Sequence, residues 1–203
     1  MLVSINNYFL KQIFSFIDDG PKLNILKYNK SLQNKICINL VNYKLFSRRY
    51  IIYGENRKGK EYDSYTDYFL FEGEYLHGER NGKGKEYDYY GTILYEGEYL
   101  NGKRSGKGKE YERVKGKLIY EGEFLKGKRN GKGKEYDKNG KLIFEGEYLN
   151  GERNGKGKEY NEDGKLKFEG IYLNGLKNGK GIDYDNNENI VFDGEYIKGE
   201  RII

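Results

Sequence analysis

A short string of aromatic, acidic and glycine positions recurs along most of the chain. Most copies read aromatic-Glu-Gly-Glu-aromatic-Leu, and a Gly-x-Gly segment follows each complete copy. Successive copies are 24 or 25 residues apart and begin at Phe71, Tyr95, Tyr120, Phe144, Phe168 and Phe192. A half copy at residues 57–62 precedes them. The spacing predicts a repeat array over residues 51–203, with a half copy, five full copies and one truncated copy.

Each repeat period contains two segments with the alternation of a β-strand. In residues 141–148, apolar or glycine positions alternate with other residues, and residues 155–160 form the second segment. Turn-forming residues separate such segments, as at residues 137–140 and 150–155. A single hairpin is only marginally stable, so neighbouring hairpins must stack on one another. The pattern therefore predicts a mainly β fold, an elongated antiparallel solenoid of hairpins.

Glycine and aromatic residues at fixed places in each first strand are predicted to build the core. A glycine has no side chain, so an aromatic ring can lie flat over the backbone there. The chain contains 29 Gly, 22 Tyr and 10 Phe, a content of rings that favours a folded protein over a disordered one. We assign this structural role to one glycine and one ring in each copy: Gly73, Tyr75, Gly97, Tyr99, Gly122, Phe124, Gly146, Tyr148, Gly170, Tyr172, Gly194 and Tyr196.

The repeated string resembles the MORN repeat, in which Tyr/Phe-x-Gly-x-Tyr/Phe-x-x-Gly is followed by Gly-x-Gly. The resemblance covers about residues 55–203. It implies roles in scaffolding, dimerisation or docking near membranes, and no catalysis by the repeats. The fifth copy departs from the others because Ile171, Leu176 and Ile182 stand at positions that elsewhere are charged.

Residues 1–50 lack this period and are predicted to form a small α-helical module. Phe9, Ile13, Phe14 and Ile17 fall at helical spacing, before a Gly-Pro pair that separates two helices. The segment from Ile13 to Ile17 and the later Asn-Lys-Ser resemble an F-box. That resemblance implies docking to a Skp1-like subunit of a ubiquitin ligase through Ile13, Phe14 and Ile17. The alternative is a helical cap on the first repeat, since solenoids need a covered end.

Charge is distributed unevenly between the two predicted regions. Residues 1–50 contain eight Lys or Arg and two Asp, whereas residues 51–203 contain 29 Lys or Arg and 30 Asp or Glu. A nucleic-acid-binding surface needs a net basic face, which the array does not offer. Its Glu-x-Glu and Lys-x-Lys segments are expected to face each other as cross-strand pairs. Polybasic lipid binding needs lysines without such acids, so it ranks behind protein binding.

Residue types suited to catalysis or metal binding are scarce. The chain has one Cys and one His, which excludes a disulfide framework, a multi-cysteine zinc site and a histidine cluster. Paired carboxylates recur in most copies, whereas a catalytic pair occurs once in one cleft. No apolar run is long enough to span a membrane. We therefore expect no enzyme activity, no cofactor and no metal, and an intracellular, cytoplasmic protein without a signal peptide.

These observations predict a non-catalytic protein–protein interaction scaffold or adaptor. Peripheral binding to an anionic phospholipid membrane is the alternative. The candidate partner-binding residues of the array are Ile171, Leu176 and Ile182. The strand near Phe192–Ile197 has a predicted free edge, and an exposed edge can pair with another chain. A homodimer through this C-terminal edge is therefore also predicted.

Overall fold

A computed structural model of the chain describes residues 49–202 of 203. The chain divides into two compact units, Met1–Phe71 and Glu72–Ile203, which are described separately below. Fourteen strands, and no helices, are assigned in the described part of the chain. The predicted helical module, with its F-box-like residues Ile13, Phe14 and Ile17, lies outside the described residues.

The described part of the first unit contains a β-hairpin, and the sequence pattern predicts only the second of its two strands. Strand β1, Arg49–Tyr53, pairs antiparallel with β2, Lys58–Asp63. Tyr50 is buried, and its ring stacks on that of Tyr62 with centroids 5.3 Å apart. The half copy at residues 57–62 is thus the second strand of a hairpin. The first strand begins at Arg49, two residues before the predicted boundary, and lacks the repeat signature.

The second unit is an open antiparallel sheet whose strand order is the order of the chain. From β4 to β14, each strand hydrogen-bonds to its neighbours in sequence. The mainly β prediction is confirmed, and the predicted antiparallel hairpins form one open sheet. The strands are β3 Phe69–Leu76, β4 Glu79–Tyr87, β5 Ile93–Leu100, β6 Lys103–Tyr111, β7 Leu118–Leu125, β8 Lys128–Tyr136, β9 Leu142–Leu149, β10 Glu152–Tyr160, β11 Leu166–Leu173, β12 Leu176–Tyr184, β13 Ile190–Ile197 and β14 Glu200–Ile202.

The core of this unit is a row of aromatic rings on one side of the sheet, called here the aromatic face. Each ring packs edge-on against the next, as Tyr95 does with Tyr99 at 5.4 Å and with Phe124 of the following repeat at 5.1 Å. Such edge-to-face pairs are favourable beyond the area that they bury. The rings of this unit that are almost fully buried are Tyr75, Tyr95, Tyr99, Tyr120, Phe124, Phe144, Tyr148, Phe168, Tyr172 and Tyr196.

The turn at the end of each first strand is shorter than predicted. Residues 150–155 were expected to form a turn, but only Asn150 and Gly151 do so, and β10 already begins at Glu152. Asn150 and Gly151 have φ of 55° and 99°, which suits a two-residue hairpin turn. The other residues of the predicted turn belong to β10, whose register with β9 shifts between Arg153 and Gly157.

The sixth copy extends further than the sequence pattern predicts. Strand β14 pairs with the end of β13, with Ile197 opposite Glu200 and Glu195 opposite Ile202. The predicted edge at Phe192–Ile197 is therefore covered over its last three residues. Whether this edge pairs with a second chain stays a prediction.

Candidate functional site

The aromatic face carries a continuous row of alternating charges along the sheet, called here the ion-pair ladder. Arg129 bridges Glu110 of the preceding hairpin at 2.8 Å and Glu135 of its own hairpin at 3.2 Å. Its guanidinium carbon lies 4.2 Å from the centroid of the Tyr120 ring. The same pattern connects eleven residues: Arg80, Glu86, Arg104, Glu110, Arg129, Glu135, Arg153, Glu159, Lys177, Asp183 and Arg201.

Burial and neighbouring charges perturb the groups around this ladder. Burial, together with the nearby carboxylate of Glu135, raises the pKa of Tyr148 well above its usual value. Burial alone would raise the pKa of Asp183, but hydrogen bonds from Tyr196, Lys177 and Arg201 outweigh it and lower that pKa. The charges of this face are thus paired with one another, whereas the buried hydroxyls of Tyr148 and Tyr172 make no hydrogen bond within the described residues.

The opposite face of the sheet, called here the exposed face, has charged columns at its centre. Lys158 pairs with Glu169 at 3.3 Å, and Lys85 pairs with Glu96 at 3.6 Å. The Tyr160 hydroxyl donates to a Glu145 oxygen at 2.7 Å. The predicted cross-strand pairing of these columns is confirmed. Residues 49–202 contain 30 Lys or Arg and 30 Asp or Glu, so the described part carries no net charge.

A row of aliphatic side chains runs along the exposed face beside the two-residue turns, called here the leucine row. Each member directly follows the second buried ring of its repeat, so strand alternation points it away from the core. These side chains are between 39% and 57% exposed. The sequence analysis missed this row, although an aliphatic residue after each second aromatic residue was a visible signal. Its members are Leu76, Leu100, Leu125, Leu149, Leu173 and Ile197.

The structure places all three candidate residues of the fifth copy on the exposed face of β11 and β12. Leu176 lies directly opposite Leu173 of the leucine row, so the row widens at this repeat. Ile182 faces Glu169 on one side and Asp193 on the other. Ile171 faces Lys156. The fifth repeat thus carries three apolar residues on this face where other repeats have charged ones, and partner binding by these residues stays a prediction.

The loop edge of the sheet contains an open groove of about 410 Å³. Ile143, Tyr160 and Tyr184 line it together with polar loop residues. The loops stack along this edge, since the Lys141 ammonium donates to the carbonyl of Glu162 at 2.5 Å. Within residues 49–202, no group of His, Cys, Asp or Glu is arranged to hold a metal ion. No described helix has the length and apolarity needed to cross a membrane.

The repeat geometry agrees with a known family. The family model of the MORN repeat matches residues 71–89, 95–111, 120–141, 144–165 and 168–182. Residues 71–182 are an array of MORN repeats. MORN repeats are generally modules that bind proteins or membrane lipids. The match does not extend to residues 1–48, so the F-box-like resemblance gains no support from it.

Comparisons with whole proteins add little to the MORN assignment. No curated protein sequence matches the chain. Among solved structures, TarM is similar at 10% identity over 75% of this chain and 25% of TarM, with a TM-score of 0.27. A point mutant of TarM from S. aureus, in complex with fondaparinux, α-GlcNAc-glycerol and UDP, is similar at 11% identity over 81% and 27% of the two chains, with a TM-score of 0.30. The chain thus spans about a quarter of the length of these structures.

Proposed function

We propose that the MORN array is a non-catalytic scaffold that binds a protein partner through its exposed face. The leucine row is the observation that carries this proposal. Single exposed aliphatic residues are common on any protein surface, whereas a row that recurs in all six copies supports an interaction surface. A sheet of this kind presents the row at regular intervals, as a scaffold for an extended partner requires.

Charge on the exposed face favours a protein over an anionic membrane. Binding to anionic lipid relies on lysines and arginines that are not neutralised by neighbouring acids. Here Lys134 lies 4.0 Å from Glu145, and Lys158 lies 3.3 Å from Glu169. Acids and bases balance over residues 49–202 as well. Peripheral lipid binding therefore remains the second candidate, because MORN repeats include lipid-binding modules.

A more specific role is an adaptor of a Skp1-type ubiquitin ligase in the cytoplasm. The only features that favour it are the F-box-like residues Ile13, Phe14 and Ile17. In this version the N-terminal segment would bind the Skp1-like subunit while the repeats hold a substrate. Capture of that subunit by the full chain, and not after Ile13→Ala and Phe14→Ala substitution, would support it.

The scaffold proposal is tested by replacing part of the leucine row with polar residues. The full chain and its Leu100→Gln, Leu125→Gln, Leu149→Gln variant are crosslinked in lysate of the source cells, and the captured proteins are identified. Vesicles with 30% phosphatidylserine are floated with the same two proteins. Val114→Gln, which alters a highly exposed loop residue, is the control.

We expect the triple variant to capture at least tenfold less of the partner than the wild type, while Val114→Gln captures as much as the wild type. Neither the full chain nor the triple variant is expected to float with the vesicles. Equal capture by the triple variant would overturn the use of the leucine row. Flotation with phosphatidylserine vesicles, without a captured protein, would replace the scaffold by a lipid-binding function.

A further inference from the structure

In four repeats a glutamate carboxylate lies over the same glycine on the exposed face, and in two of them it accepts a hydrogen bond from the next backbone N–H. In the clearest case, the backbone N–H of Lys156 in β10 donates to the Glu147 carboxylate of β9 at 3.0 Å. The N–H of Lys83 donates to Glu74 in the equivalent way, at 3.4 Å. In each case the carboxylate lies over the glycine that precedes the lysine. The four pairs are Glu74 with Gly82, Glu98 with Gly106, Glu123 with Gly131 and Glu147 with Gly155.

The glycine creates this site because its φ is positive. Gly155 has φ of 97° and lies in the segment of β10 where the register with β9 shifts. Backbone amides turned outward by such a conformation form a small concave site that attracts anions. The fit is close, because a Cβ added to any of the four glycines would lie 2.9–3.1 Å from the glutamate Cδ. We call this arrangement the carboxylate site of the repeat.

The fifth repeat has the same backbone site without its own carboxylate. Gly179 has φ of 84°, within the range of the other four glycines, and Lys180 follows it. The position of the glutamate is occupied by Ile171, whose Cβ lies 3.7 Å from where a Cβ on Gly179 would be. No carboxylate of residues 49–202 lies over Gly179, in contrast to Gly82, Gly106, Gly131 and Gly155. The backbone is thus shaped for an anion that the repeat itself does not supply.

Two lysines, Lys156 and Lys180, flank this site, and Lys180 lies opposite Glu195 of the next strand. Lys156 faces Ile171 across the strands, whereas the equivalent Lys132 faces Glu147. In the described part of the chain, no carboxylate lies within 4 Å of the Lys156 or Lys180 ammonium groups. Both side chains are exposed. Ile171 thus removes an acid from beside Lys156, while Ile182 removes a lysine from between Glu169 and Asp193.

We propose that the fifth repeat binds an acidic peptide segment of a partner protein through this carboxylate site. A Glu or Asp carboxylate of the partner accepts from the Lys180 N–H and lies between the Lys156 and Lys180 side chains. Apolar residues beside it pack on Ile171, Leu173 and Leu176. This inference rests on the proposed scaffold function and gives it a location and a partner chemistry.

A peptide carboxylate fits this site better than a lipid phosphate. The group that occupies the same backbone site in four other repeats is the carboxylate of a glutamate on a β-strand. Aliphatic side chains surround the site in the fifth repeat, as expected for a peptide in which apolar residues neighbour the acid. A membrane, in contrast, would need many such sites side by side, and the other four are filled by the chain itself.

The test is a titration of the ¹⁵N-labelled full chain, followed by the amide resonances of its backbone. The probe is a pool of blocked hexapeptides with one fixed Glu and mixed Leu, Ile, Val and Phe at the flanking positions. A pool with Gln in place of Glu is the matched probe. We expect the Glu pool to move the Lys180 amide downfield and to leave the Lys156 amide, which already binds Glu147, at least fivefold less affected.

Two variants distinguish binding at the carboxylate site from nonspecific binding to the apolar side chains of this face. Ile171→Glu restores the residue of the other repeats, so it is expected to fold normally and to reduce the affinity for the Glu pool at least tenfold. Ile182→Lys also restores a repeat residue, but away from the carboxylate site, and should leave the affinity within threefold.

Equal binding of the Gln pool, or unchanged binding by Ile171→Glu, would overturn the carboxylate site. A Lys180 shift caused by phosphatidylserine vesicles, and by neither peptide pool, would assign the site to lipid instead. These outcomes differ from failure of the scaffold proposal. A partner whose capture needs the leucine row but tolerates Ile171→Glu would keep the scaffold and remove only the acidic-peptide site.

Discussion

The Phe144 ring lies so close to the backbone of Gly157 that a side chain at this position would have to displace the ring. A Cβ on Gly157 would come within 2.5 Å of the ring carbon Cζ. The two residues belong to adjacent strands, β9 and β10, and Phe144 is fully buried. Equivalent glycines meet a ring in the other repeats. The glycines within the strands of this unit therefore follow from how the rings pack on the sheet, whereas glycines such as Gly151 serve the turns.

Gly157→Ala is expected to destabilise the protein by about 1–3 kcal/mol, because the added methyl group must displace the Phe144 ring. The measurement is the free energy of unfolding in urea. Gly54→Ala is the control, since its nearest neighbour would be 3.8 Å away. That change should stay within about 1 kcal/mol of the wild type. Equal stability of Gly157→Ala and the wild type would contradict the close packing.

The ion-pair ladder predicts that two substitutions of Arg129 lower the free energy of unfolding to different extents. Arg129→Met removes the cation between Glu110 and Glu135, whose side chains are only 18% exposed. The expected loss is about 1–3 kcal/mol, the cost of leaving charged hydrogen bonds unmade in a half-buried place. Arg129→Lys should cost less, because Lys177 fills the same place in the fifth repeat, 3.7 Å from the Phe168 ring centroid.

Urea unfolding of both variants checks this order, with the exposed Lys128→Met as the control. Lys128 precedes Arg129 but is exposed and makes no ion pair within the described residues. A Lys128→Met variant that loses as much stability as Arg129→Met would show that the ladder contributes nothing specific.

The hairpins could be predicted because their signals are local. Alternation in residues 141–148 predicts β9, which the structure has at Leu142–Leu149. The Asn150-Gly151 pair marks its turn, since both residues take the positive φ that such a turn needs. These signals lie within a few residues of each other, so the amino-acid sequence alone is sufficient to predict the hairpins.

The ladder and the carboxylate site could not be predicted because their partners are distant in sequence. Arg153 reaches Glu159, six residues away, and Glu135, eighteen residues away on another hairpin. The sequence singles out Ile171 as an apolar departure from the repeat. Glu147, at the equivalent position, binds a backbone N–H group because Gly155 has a positive φ. No pattern of residues in the sequence indicates that φ.

Asp183 predicts how stability depends on pH at the end of the ladder. Burial raises its pKa, but hydrogen bonds from Tyr196, Lys177 and Arg201 lower the pKa by more than burial raises it. The net pKa therefore lies below the usual value. A lowered pKa in the folded state means that the contribution is complete above about pH 4 and is lost as the pH falls through the folded pKa. Asp183→Asn should therefore cost about 1–3 kcal/mol at pH 7 and progressively less below pH 4.

Unfolding free energies between pH 7 and pH 2.5 measure this difference. Asp163→Asn, in an exposed loop, is the matched change and should have little effect throughout this range. A stability gap between Asp183→Asn and the wild type that stays constant down to pH 2.5 would contradict the ionised, hydrogen-bonded Asp183.

The two-residue turns predict a substitution that stabilises the protein. Lys126 has φ of 52° and occupies the position held by Asn150, whose φ is 55°, in the next repeat. Asn tolerates this left-handed conformation better than Lys does, because its side chain can hydrogen-bond locally. Lys126→Asn should therefore raise the free energy of unfolding by about 0.5–1 kcal/mol, and Asn150→Lys should lower it by a similar amount. Thermal and urea unfolding of the two variants measure both changes, and a shift of both in the same direction would show that the turn conformation is not what sets their stability.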